Sequence, residues 1–226
     1  MTFPMGELPH TLNPMAAAPQ DGTILVTGFG PFYGHSVNAS WVAVQELARL
    51  TVHNPDGSDC KLDIREIPVE YEVVATEVPK LWRDVNPRFC VHVGVSPYDC
   101  VMIEQVAQNS TYHLEDVKGR YPNAGRCVQD GPSHIRTQVD VQRVVTQVMT
   151  TQSEVKVSAS NDAGRYLCDF IYYTSLHCGD APVLFIHVPP LDKPYSSAQI
   201  ASALKLIIET ILTNWDSFVS QKKTGI

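Results

Sequence analysis

Short apolar runs of roughly four to eight residues alternate along this chain with stretches in which apolar residues recur every three to four positions. No other feature constrains the fold as much. Strands covered on both faces read as near-continuous aliphatic runs, and the helices that cover them carry a single apolar stripe. Residues 23–29, 61–69, 88–95, 101–106, 154–159 and 183–188 read as strands. Residues 40–50, 71–83, 139–150, 164–178 and 197–219 read as helices. The alternation predicts an α/β fold in which helices pack on both faces of a mostly parallel sheet. With 226 residues, below the ~250–300 at which single cores stop growing, one domain is expected.

Local signals refine these spans. Ser40 is the expected N-cap of the first helix, with Trp41, Val44, Leu47 and Ala48 as its buried stripe. Pro79 should bend or shorten the second helix, because proline removes an amide donor. Ser96, Pro97, Tyr98 and Asp99 join the third and fourth strands. Residues 110–133, rich in Gly, Pro and Asn, read as a long loop. Residues 1–22 lack periodicity, a basic start and a continuous apolar stretch. They are expected to be a disordered tail on a single domain spanning 23–226.

Charge and cysteine usage narrow the function. The 17 basic and 24 acidic residues give a net charge of −7, with no Lys/Arg cluster of the kind that neutralises phosphates, so neither nucleic acid nor a membrane is an expected partner. No stretch reaches the ~18 apolar residues that span a bilayer, and a cytosolic location is expected. The six cysteines are expected to be reduced thiols, since no secretory signal accompanies them. Without a Cys-x-x-Cys or His-x-x-x-His spacing, no structural metal site is expected.

The segment "VTGFGPFYGHSVNASW" suggests a dinucleotide loop, but Tyr33 stands at the third glycine position and Pro31 has no amide hydrogen to offer a phosphate. What remains is Phe29 and Phe32 on a tight Gly/Pro turn, suited to a flat, uncharged group. Ligands of open α/β sheets sit outside the carboxyl ends of strands. Four such places stand out: residues 28–32, 94–96, 160–164 leading to Cys168, and 187–190. Cys168 falls in the first turns of a helix, where unsatisfied amides favour a thiolate. His187 ends an apolar strand before two prolines and is the candidate base. Glu104, a charge among apolar neighbours in "VMIEQVAQN", is the candidate for orienting that base, against the alternative of an outward-facing strand residue. Asp162 and Asp169 compete for this role, Asp169 being poorly placed beside the nucleophile. Cys178 and His92 read as core residues, and His177 as complementing a helix C-terminus.

Taken together, "LVTGFGPFYGHSVNASW", "REIPVEY", "VHVGVS", "IEQVAQN", "DAGRYLCDFIYYTSL" and "FIHVPPLDKPY" resemble the pyroglutamyl peptidase I family, cysteine peptidases that remove N-terminal pyroglutamate, and most closely its animal form. The resemblance implies a three-layer α/β/α sandwich. Its nucleophile falls on Cys168, its base on His187 and its acid on Glu104. Its ring-binding aromatics fall on Phe29 and Phe32, with Asn38 as a polar contact. Tyr166 would line the pocket, and backbone amides near Leu167 and Cys168 would hold the oxyanion. The implied partners are peptides beginning with pyroglutamate, with no metal or organic cofactor required, and the implied state is a monomer.

The segment between Gly94 and Glu104 is one residue shorter than the family's usual version, and Pro97 and Tyr98 replace small residues. This motivates a second reading, a relative that binds pyroglutamyl peptides without cleaving them. A third, a phosphorylase-like nucleoside or phosphate binder, is opposed by Pro31 and by the shortage of cations in the loops.

Overall fold

The computed structural model describes residues 22–151 and 153–220. The expected tail, apart from Gly22, lies outside the described residues. The elements run β1 (Ile24–Phe29), α1 (Ala39–Leu47), β2 (Leu62–Ile67), α2 (Tyr71–Val85), β3 (Phe89–Val95), β4 (Val101–Glu104), β5 (Val106–Gln108), a single 3-10 turn (Asn123–Gly125), β6 (His134–Arg136), α3 (Val141–Thr150), β7 (Val157–Ser160), α4 (Leu167–Cys178), β8 (Val183–Val188), α5 (Ser197–Thr213) and α6 (Trp215–Phe218).

Six strands form one sheet in the order β2-β1-β3-β8-β4-β7, and β5 pairs with β6 in a separate antiparallel ribbon. Strands β2, β1, β3 and β8 are mutually parallel. β4 runs antiparallel to β8, and β7 follows β4. Alternation along the strands sorts their side chains into two cores. Ile24, Val26, Val91, Val93, Leu184 and Ile186 pack with the apolar faces of α1, α3 and α5. Leu25, Phe29, Cys90, Val183 and Phe185 pack with α2 and α4. Two helical layers around a mostly parallel sheet make the three-layer sandwich.

Several local expectations are corrected. Asn38, not Ser40, caps α1: its Oδ1 accepts from the Ser40 N–H, and the Ser40 hydroxyl instead receives the Phe29 amide at 3.0 Å. The buried stripe of α1 is Ala39, Ser40, Ala43, Val44 and Leu47, with Ala48 exposed and Trp41 only half-buried. α2 passes through Pro79 without ending and closes at Asn86 in a left-handed conformation. The start of α2 is capped from a distance, by Asp116 Oδ2 accepting the Tyr71 amide. The segment 96–100 joins β3 to β4, as expected, and crosses β8, which lies between them. Residues 110–133 are held by specific bonds, among them Asn109 Nδ2 donating to the Val128 and Gly131 carbonyls. The last helix breaks at Asn214 into α5 and α6.

The topology also corrects the expected alignment of strand exits. β1, β3 and β8 leave the sheet at one edge, but β7 is antiparallel to β8, so residues 160–164 open at the other edge. Residues 161–166 then lead the chain back across the sheet to α4.

Candidate active site

Register sets the site. Gly94 pairs with His187 across β3 and β8, and Thr27 pairs with His92, which brings Phe29 level with Gly94 at the carboxyl edge. These residues share the face covered by α4. Cys168 occupies the second position of α4, after Tyr166 and Leu167, and Tyr166 supplies no side-chain cap to that turn. The first amides of α4 therefore keep their partial positive charge facing outward.

Gly94 lets the helix come this close. A Cβ built there would lie 2.7 Å from the Cys168 sulfur and 2.7 Å from Phe185 Cζ. Absence of a side chain at this one strand position leaves the sulfur beside the His187 strand.

His187 is buried and its Nδ1 lies 2.8 Å from Glu104 Oε1. Glu104 reaches it diagonally, since Met102 is the residue opposite His187 and Glu104 stands opposite Phe185. With Nδ1–H donated to the carboxylate, Nε2 is left for the sulfur. Burial alone would pull the imidazole down, but the Cys168 sulfur and the Glu104 carboxylate outweigh it and raise it to about 10. The Phe185 ring packs edge-on against the imidazole at 4.8 Å. Glu104 is fully buried; its Oε2 has no hydrogen-bond partner among the described residues, and its carbonyl accepts the Tyr172 hydroxyl at 2.9 Å. A dry carboxylate with one committed oxygen is a strong acceptor for an imidazolium.

Cys168 is half-buried, as are Cys60, Cys127 and Cys178, while Cys90 and Cys100 are buried. Burial pushes Cys90 far up and Cys127 up to about 12. His92, on the same face as Gly94, bonds Thr27 Oγ1 at 2.7 Å and Cys90 Sγ at 3.4 Å, and burial lowers it to about 3, so it stays neutral.

Phe29 is buried and Phe32 half-buried, the latter stacked on His35 at 4.7 Å. The Asn38 carboxamide is committed within the protein: Nδ2 donates to the Gly30 carbonyl at 2.9 Å, and Oδ1 accepts from the Ser40 amide and hydroxyl. Through these bonds it shapes the aromatic turn, and they leave the second Nδ2 hydrogen unused. Tyr166 is half-buried, donates its hydroxyl to the Glu115 carbonyl at 3.1 Å and packs edge-on against Tyr71. The Leu167 side chain is in the core, leaving its backbone amide at the helix start.

Asp169, weighed above against Glu104 as the residue orienting the base, has other partners. Fully buried beside Cys168, it accepts the Gln108 amide at 3.1 Å and the Tyr112 hydroxyl at 3.1 Å, and faces Arg165 at 3.6 Å. It thus ties the first turn of α4 to β5, the continuation of the Glu104 strand. Burial raises its carboxyl to about 7, against the lowering effect of those three partners. Among the described residues, no group of three or more His, Cys, Asp and Glu side chains is placed to hold a metal ion, and no helix is long and apolar enough to cross a membrane.

Comparison with known proteins gives three findings. A family model described as pyroglutamyl peptidase matches residues 22–214. Pyroglutamyl-peptidase 1 of Rattus norvegicus is 46% identical over 190 residues, covering 84% of this chain and 89% of the relative, and the human protein of the same name is equally similar over the same lengths. The crystal structure of pyrrolidone carboxyl peptidase from Thermus thermophilus superposes with a TM-score of 0.72 at 26% identity, covering 83% of this chain and 99% of that one.

Proposed function

This chain belongs to the pyroglutamyl peptidase family and hydrolyses N-terminal pyroglutamate from peptides as a cysteine peptidase; we propose that Cys168 is its nucleophile, His187 its base and Glu104 the residue that orients the base. The observation that carries this reading is the 2.8 Å contact between His187 Nδ1 and Glu104 Oε1, made on the sheet face where Cys168 overlies Gly94.

The reaction follows from that arrangement. The Cys168 thiolate, paired with the His187 imidazolium, attacks the carbonyl carbon that follows the oxoproline ring. The carbonyl π pair moves onto oxygen, which the amides of Leu167 and Cys168 receive; a donor in such a place is worth ~10²–10³ in turnover. His187 Nε2 passes its proton to the departing amine as the C–N bond breaks, leaving a thioester. Water, deprotonated by the now neutral His187, attacks the thioester and releases pyroglutamate. The C–S bond breaks as the product leaves, its electron pair stays on sulfur, and the Cys168 thiolate stands again beside the His187 imidazolium. Every step uses side chains and amides of this chain.

The substrate ring has apolar faces and a lactam N–H and C=O at its edge. Phe29 and Phe32 are suited to its faces. A free α-amine would be a cation buried between phenyl groups, and a prolyl ring would leave polar groups unmatched, which can cost ~10⁴–10⁵ in rate. The shorter segment before Glu104 leaves the contact to His187 intact, which favours cleavage over binding alone. A monomer in the cytosol completes the proposal, as the family resemblance implies; the location accords with six cysteines that stand unpaired.

Hydrolysis of pyroglutamyl aminomethylcoumarin in reducing buffer, beside the prolyl and glutamyl amides and a Cys168→Ala variant, tests the assignment. Turnover restricted to the pyroglutamyl amide and lost in the variant is expected. Folded, reduced protein without turnover would move the reading to the non-cleaving relative.

A further inference from the structure

The aromatic turn after β1 is weakly held. Residues 31–37 include Pro31 and Gly34, the latter at φ +70°, and their backbone bonds are the reciprocal pair between Phe32 and His35. Among the described residues, this tip makes a single hydrogen bond to another part of the chain: the Tyr33 hydroxyl donates to the Asp116 carbonyl at 2.7 Å. The Tyr33 ring itself is 59% exposed. Burial therefore contributes little to holding the Tyr33 ring; Phe32 packs against the α2/α4 core from the same tip, and the Tyr33 hydroxyl bond is the tip's polar tether.

Its acceptor is rigid. Asp116 is fully buried, and its carboxylate receives the amides of Tyr71, Lys118 and Arg120. Asp116 also closes a run of three consecutive carbonyls that each receive a tyrosine hydroxyl. Tyr71 donates to Leu114, Tyr166 to Glu115 and Tyr33 to Asp116. These tyrosines come from the start of α2, from the residue two before Cys168, and from the turn carrying Phe32. One strap, residues 114–116, thus spans the ring-binding turn and the nucleophile's turn.

We propose that Tyr33 is a substrate-positioning residue: its bond to the Asp116 carbonyl fixes the tip bearing Phe32 to the strap that also holds Tyr166, so that ring pocket and nucleophile keep one separation. The inference rests on the pyroglutamyl peptidase reading above. Its weight falls on binding, since Cys168, His187 and Glu104 are held by other contacts.

Tyr33→Phe keeps the ring and removes the tether. A net hydrogen bond of ordinary strength corresponds to about a fivefold change in population, so KM for pyroglutamyl aminomethylcoumarin should rise about fivefold with kcat within about twofold. Alkylation of Cys168 by iodoacetamide should keep its rate. Amide exchange of residues 30–37 should accelerate about fivefold. Tyr121→Phe, which removes a hydroxyl bond donated to the Glu115 carboxylate of the same strap, should leave KM unchanged. An unaltered KM would overturn the proposal, as would a fall in kcat matched by slower alkylation, which marks general damage. A KM rise without faster exchange would also overturn it, pointing to direct contact of the hydroxyl with substrate. Failure of the wild type to cleave would instead refute the activity, with the exchange comparison still deciding the tether.

Discussion

Gly94→Ala places a methyl group in the space through which the nucleophile reaches its base. The added Cβ would lie 2.7 Å from the Cys168 sulfur, against the 3.4 Å at which ordinary contact begins, so relief requires a displacement of about 0.7 Å. β3 cannot supply it, being bonded to β1 on one side and β8 on the other. Phe185, whose Cζ would also lie 2.7 Å away, is in the core and offers no room. The sulfur must move, or α4 must lift with it. A misplacement near 1 Å costs about 100-fold in rate because the reacting atoms leave their near-attack geometry, so kcat for pyroglutamyl aminomethylcoumarin should fall about 30- to 100-fold. Overpacking against Phe185 should cost about 1–3 kcal/mol, which in a domain of this size lowers the melting temperature by roughly 2–12 °C. Steady-state kinetics and thermal denaturation at one pH check both. Full activity in a folded Gly94→Ala protein would refute the placement of Cys168 against this strand.

Glu104→Gln keeps an acceptor for His187 Nδ1 but removes the charge that holds the imidazolium. Burial lowers that imidazole, and Cys168 and Glu104 raise it to about 10, so proton donation to the leaving amine persists until pH approaches 10 in the wild type. In the variant, kcat should drop roughly 10²–10⁴-fold, as when the acidic member of a catalytic triad is neutralised. The alkaline limb of the pH–rate profile should move toward acid; an unmoved limb would exclude Glu104 from this role. Asp169→Asn tests the buried carboxyl beside the nucleophile. Because burial raises it to about 7 from 3.8, its contribution to stability is present below 3.8 and lost as pH rises through about 7. The melting temperature of the wild type should therefore fall relative to that of the variant between pH 5 and pH 8. Parallel pH curves would show that Asp169 ionises as it does in the unfolded chain.

What could be read from the sequence follows from how locally each feature is determined. Strand cores such as "ILVTGF" and "FCVHVGV" announce themselves because a strand buried on both faces is apolar at every position. The capping box of α5, with Ser196 and Gln199 each bonding the other's backbone, lies within one turn of chain and is equally legible. α1 went differently. Both Asn38 and Ser40 are good caps, and the choice was made by the Phe29 amide, eleven positions away, claiming the Ser40 hydroxyl. Residues 110–133 read simply as a long loop, because the tyrosine hydroxyls and carboxylates that anchor it come from elsewhere in the chain, and composition carries no trace of such partners.

Strand direction was the least legible feature and the one on which the site turns. An apolar run has no polarity, so nothing in "CVMIE" reveals that β4 runs against β8. That reversal opposes Met102 to His187 and sets Glu104 two positions further along, opposite Phe185 on the same face. From there the longer side chain of a glutamate reaches the imidazole diagonally, which accounts for Glu rather than Asp at position 104: cross-strand neighbours on the diagonal lie ~7–8 Å apart, within range of a long side chain only. The same reversal carries β7 to the far edge, and the chain recovers the distance over residues 161–166 before α4 begins. Cys168 and Glu104 could be named from residue type and context. Their meeting at His187 is a property of the sheet order, and it exists only because one strand pair in a mostly parallel sheet is inverted.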